Sequence, residues 1–85
     1  MRFQIGDRIE AVVDHIDGHG LLMTGDQGVI VYILPTGRLK VRWDRYIRGH
    51  DCGGLCDNGY GWNVQPEDVV LVNVVDCSVD VSDFL

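Results

Sequence analysis

Residues Arg38-Leu39-Lys40-Val41-Arg42-Trp43-Asp44 alternate strictly between polar and apolar side chains. Successive side chains of an extended strand point to opposite faces, so this stretch predicts a strand with Leu39, Val41 and Trp43 inward and Arg38, Lys40 and Arg42 outward. Just before it, Val29 to Leu34 is a near-continuous apolar run with β-branched residues, too short for a helix, which predicts a central strand covered on both faces. Pro35-Thr36-Gly37 lies between the two. Proline presets φ and glycine supplies a positive φ, so the pair reads as an antiparallel hairpin.

Working outward, Gly6-Asp7 opens a strand from Arg8 to Asp14 with Ile9, Ala11 and Val13 on one face. His15 to Gly28 holds four glycines around Leu21-Leu22-Met23, and reads as a loop pinned by a few buried side chains. Gly61 to Val64 is a short strand, Gln65-Pro66-Glu67-Asp68 a tight turn, and Val69 to Val74 the last core strand. No stretch sustains the 3.6-residue period of an amphipathic helix. The fold class is therefore all-β, a small barrel of about five antiparallel strands over residues 1–75. A long glycine-rich loop, Gly49 to Gly61, joins the third and fourth strands. Residues 76–85 form an acidic C-terminal tail that either frays or pairs with a sheet edge, on this molecule or on a second copy in a dimer.

Eighty-five residues make one domain, with hydrophobic residues at 46% and charged residues at 24%, as in an ordinary soluble globular protein. No apolar run approaches the roughly 18 residues of a membrane span. The N-terminus, Met-Arg-Phe-Gln-Ile-Gly-Asp-Arg, lacks the apolar core of a secretory signal, and the three cysteines are odd in number. Both features place the protein in the cytoplasm with free thiols. Net charge is −6, yet five of the seven cations (Arg38, Lys40, Arg42, Arg45, Arg48) fall between residues 38 and 48. Bulk acidity argues against sequence-independent binding along nucleic acid, where phosphate neutralisation dominates. The basic strand keeps a local phosphate or carboxylate contact open; the alternative is pairing with acids on neighbouring strands.

Four stretches in this order carry a resemblance. Gly6-Asp7-Arg8-Ile9-Glu10-Ala11-Val12, Gly25-Asp26-Gln27-Gly28-Val29-Ile30-Val31, Leu39-Lys40-Val41-Arg42-Trp43-Asp44 and Val64-Gln65-Pro66-Glu67-Asp68-Val69-Val70-Leu71-Val72 resemble the strand phrasing of SH3-like barrels. The KOW-type and Mind bomb-type modules are the most similar, and the match covers most of residues 6 to 73. The resemblance implies an SH3-like barrel that binds without catalysis. Together with the small size, it implies a bacterial or bacteriophage accessory protein.

His50, Cys52 and Cys56 form a His-x-Cys-x-x-x-Cys cluster that offers three zinc ligands, with Cys77 or Asp57 as a fourth. Structural zinc favours paired Cys-x-x-Cys knuckles, and this spacing has none, so no metal or other cofactor is assigned. A Cys/His nucleophile pair would need a third orienting group, which is not identifiable, so no enzymatic activity is assigned. The glycines are not a phosphate loop, since no Gly-Lys-Ser/Thr ending and no following helix are present. Tyr46, Tyr60 and Trp62, on or beside the loop, are the apolar anchors of a binding surface, and Arg38, Lys40, Arg42 and Arg45 steer the partner. That partner is a protein or peptide. Nucleic acid, held by the Arg38 to Arg48 strand and stacked on the aromatics, is the alternative. A second alternative is an acidic mimic of nucleic acid that occupies a host enzyme.

Overall fold

The computed structural model describes residues 3–72. Five strands, β1 (Arg8–Ala11), β2 (Gln27–Ile33), β3 (Leu39–Trp43), β4 (Gly61–Val64) and β5 (Val69–Leu71), form one antiparallel sheet in the order β4-β3-β2-β1-β5. The fold is all-β. β4 and β5 occupy opposite edges of the sheet, yet only four residues, including a 3-10 turn at Pro66–Asp68, separate them. Edges of a flat five-stranded sheet stand about 19 Å apart. Such a connection reaches roughly 13 Å. The sheet therefore rolls toward a small barrel-like shape, and its inner face closes around the core.

The alternation of β3 is realised: Leu39, Val41 and Trp43 are buried, Lys40 is half-buried and Arg42 is exposed. Ile9 and Ala11 of β1, Ile30 of β2, Val64 of β4 and Val69 of β5 complete the strand contribution to the core. Phe3, Ile16, Leu22 and Ile47 enter it from connecting segments. The segment between β1 and β2 is a loop pinned by buried Ile16 and Leu22, with one 3-10 turn at Ile16–Gly18. The turn between β2 and β3 closes as the sequence predicts, with the Gly37 amide donating to Leu34 O and Gly37 at φ +95°.

Two strands differ from expectation. β1 stops at Ala11 instead of Asp14, because β5 begins opposite Ala11 and β2 begins opposite Glu10, so no ladder continues past them. β2 is not covered on both faces. Its pairing with β3 runs Ile30 to Val41 and then Tyr32 to Lys40, so Val31 is an extra residue in a β-bulge. A bulge shifts every later side chain by one face, which turns Tyr32 outward over Lys40 and returns Ile33 inward opposite Leu39. The tail 76–85 and Cys77 lie outside the described residues, as do the last two positions of the strand expected from Val69 to Val74.

Candidate functional site

Residues 44–60, between β3 and β4, form an ordered structure that folds back on the edge of the sheet. Ile47 is fully buried and anchors it. The amides of Ile47 and Gly49 both donate to Gly59 O, and His50 exchanges two backbone hydrogen bonds with Gly61, each 2.8 Å. At the next corner Asp51 O accepts from the amides of Gly54, Leu55 and Cys56, winding one tight turn. The glycines allow these crossings. A Cβ at Gly61 would lie 2.6 Å from Cys52 Sγ and 2.7 Å from His50 O, and one at Gly59 would lie 2.1 Å from Tyr46 Cε1.

This return of the chain lays Tyr60 beside the end of β3, where its carbonyl accepts the Trp43 amide at 2.7 Å. An open cleft of about 380 Å³ results, lined by Arg42, Trp43, Asp44, Asp57 and Tyr60. Tyr46 meets Tyr60 edge to face, with ring centroids 5.8 Å apart, and is itself 57% exposed. Edge-to-face packing holds both rings in place while leaving the outer faces for a ligand.

The predicted cations divide into two kinds. Arg45 is bidentate on Asp26, with Nε 2.8 Å from Oδ1 and Nη2 2.7 Å from Oδ2, and it also donates to Leu21 O. Hydrogen bonding to that guanidinium holds the Asp26 carboxyl below the usual carboxylate range. Arg38 is ion-paired with Asp17. Both acids belong to the loop between β1 and β2, not to a neighbouring strand. Lys40 and Arg42 have no carboxylate partner among the described residues; Lys40 Nζ stands 5.6 Å from the Tyr32 ring centroid, and Arg42 faces the cleft.

Trp62 stands away from the cleft. It packs on the core from β4 and lies between two imidazoles, His19 at 4.3 Å and His50 at 5.3 Å between ring centroids. The structure thus brings Arg42, Tyr46 and Tyr60 together and leaves Trp62, Arg38 and Arg45 elsewhere. Asp44 and Asp57 in the cleft wall, and His19 against Trp62, carry no local sequence signal for these positions, because each contact joins segments remote in the chain.

His50 and the cysteines are near one another but are engaged with the backbone. His50 Nδ1 accepts the Cys52 amide at 3.0 Å, and the Cys52 thiol donates to Val41 O at 3.6 Å. Burial pushes the Cys52 thiol up to about 12 and also raises that of Cys56. Among the described residues no group of three His, Cys, Asp or Glu side chains is arranged to hold a metal ion. Nor is any helix there long and apolar enough to cross a membrane. The chain matches no family model, no curated protein and no solved structure.

Proposed function

We propose that this chain is a non-catalytic binding module for a protein or peptide partner, built on an SH3-like barrel and using the cleft between β3 and the folded loop. The observation that carries the proposal is that Tyr60 and Arg42, a cation with no carboxylate partner among the described residues, line one opening, with Tyr46 packed edge to face on Tyr60. Aromatics and arginine dominate protein interfaces because each supplies large contact area or forked hydrogen bonding at small entropic cost. The strand order β4-β3-β2-β1-β5, with a 3-10 turn before the last strand, supports the SH3-like assignment. The engagement of His50 Nδ1 with the Cys52 amide supports the absence of catalysis, since it leaves that imidazole nitrogen unavailable as a base on the Cys52 sulfur.

Nucleic acid is the weaker candidate because Asp17 and Asp26 neutralise Arg38 and Arg45, leaving Lys40, Arg42 and Arg48 as the cations of the 38–48 stretch without a carboxylate partner among the described residues, in a chain of net charge −6. An acidic decoy is weaker still: Asp17, Asp26 and Asp44 are each held by an arginine of this chain. The test is affinity capture from host lysate at about 50 and 200 mM salt, a range over which phosphate-dominated binding collapses. The proposal requires a protein retained at both concentrations by the wild type and lost by Tyr46→Ala. Capture of nucleic acid alone, vanishing at the higher salt, contradicts it.

A further inference from the structure

Cys52 and Cys56 converge on a single glycine. Both sulfurs approach the position a Cβ on Gly61 would occupy, at 2.6 and 2.9 Å, so the missing side chain is what leaves room for both, and each thiol donates to a backbone carbonyl, Cys52 to Val41 O at 3.6 Å and Cys56 to His50 O at 3.9 Å. The tight turn on Asp51 O sets their spacing, with Cys52 at φ 54°, Gly53 at φ 71° and Gly54 at φ 96°. Their exposure is unequal. Cys52 is 1% exposed beneath the turn, whereas Cys56 is only partly covered. Among the described residues a small reagent therefore meets Cys56 before Cys52.

We infer that Cys52 and Cys56 form a thiol–disulfide exchange site for low-molecular-weight disulfides of the glutathione type, with Cys56 the attacking and Cys52 the resolving residue. In the first step the Cys56 thiolate attacks one sulfur of the small disulfide; that S–S bond breaks, a mixed disulfide forms on Cys56, and one thiol leaves carrying the Cys56 proton. In the second, Cys52 loses its proton and attacks Cys56 Sγ, forming the internal disulfide and expelling the second small thiol, which takes that proton. The two cysteines together lose two electrons and two protons, and the small disulfide becomes two thiols. Burial raises both thiols, so both steps quicken as pH rises. The ring so closed lies in the same loop as Asp57 and Tyr60 of the cleft. The inference stands apart from the binding proposal and survives its failure.

The full chain, reduced and freed of reductant, is incubated with glutathione disulfide, alkylated, and cleaved on the N-terminal side of aspartate. The fragment 51–56 then contains Cys52 and Cys56 without Cys77. The expected product is this fragment two hydrogens lighter, free of alkyl and glutathionyl groups. Two alkylated thiols, a persistent mixed disulfide on Cys56, or a link to the Cys77 fragment would each overturn the assignment. Cys56→Ser supplies an independent check: glutathionylation of Cys52 is expected to be at least about ten-fold slower than oxidation of the wild type, because its more exposed neighbour is gone. Equal rates contradict the inference.

Discussion

Tyr32 lies against Lys40 across the β2–β3 pair, with Lys40 Nζ 5.6 Å from the ring centroid, because Val31 is inserted in the strand ahead of it. On a regular strand Ile30 and Tyr32 would share a face. Here Ile30 is fully buried and Tyr32 is 44% exposed. Ile30→Ala is expected to cost about 2–5 kcal/mol. Tyr32→Ala, losing an exposed cation–π contact, is expected to cost less than about 1 kcal/mol. Urea denaturation of the two variants measures the contrast, and equal large losses would show the strand to be regular.

Gly61→Ala reads out the crossing under the loop. Exchanging glycine for alanine in a strand ordinarily favours the fold by about 0.5–1 kcal/mol. At this position the new Cβ meets Cys52 Sγ, the His50 carbonyl and Cys56 Sγ, all at 2.9 Å or less. A destabilisation of about 1–3 kcal/mol is expected in its place, from overpacking against backbone that cannot yield. Thermal or urea unfolding gives the sign directly.

Acid should destabilise the fold in two stages. Burial lowers the His50 pKa in the folded state, so protonation favours the unfolded chain. Stability from this group is complete above the unfolded histidine value of about 6.5 and is lost as pH falls through the lower folded value. Asp26, lowered by its bonds to Arg45 and to the Met23 amide, follows the same sign at lower pH. Its contribution is present above about 3.9 and is lost as pH falls through the folded value. In unfolding curves recorded from pH 8 to pH 2, His50→Gln is expected to flatten the first stage and Asp26→Asn the second. A curve unchanged by His50→Gln would contradict the burial of that ring.

The thiols give a related expectation for zinc. Each would have to lose a proton against burial, and Cys52 is held to Val41 O. Protein purified without chelator is therefore expected to carry less than a stoichiometric amount of zinc by elemental analysis. One equivalent per chain, released by blocking the cysteines, is the contrary result.

Patterns confined to one strand were legible, and contacts between segments were not. The alternation from Arg38 to Asp44 places Trp43, Val41 and Leu39 in the core because burial on β3 follows the strand period without interruption. The apolar run in β2 hides its bulge: Ile30, Val31, Tyr32 and Ile33 are all apolar, so no break in polarity marks the extra residue. Charge density marked the basic strand, but Lys40 and Arg42, without a carboxylate partner among the described residues, were not separable from the paired Arg38 and Arg45. Asp26 and Asp17 lie 19 and 21 residues upstream of Arg45 and Arg38, and only the loop between β1 and β2 brings them back. The cleft was half visible: Tyr46, Tyr60 and Arg42 stood out by type, whereas Trp62 was drawn to the core between His19 and His50.

Tyr46, packed on the cleft residue Tyr60, is the proposed anchor for a protein partner, and the affinity of a captured partner for the Tyr46→Ala variant measures that role. Tyr46 is more than half exposed, so its truncation should leave the unfolding midpoint nearly unchanged. Dissociation constants measured by calorimetry for wild type and variant are expected to differ by about ten-fold or more, the loss of about 1.4 kcal/mol that marks an interface anchor. Arg42→Glu should weaken binding further at low salt, while Arg45→Ala, whose charge is already committed to Asp26, should have little effect. A dissociation constant unchanged by Tyr46→Ala in a folded variant would rule out binding at this cleft.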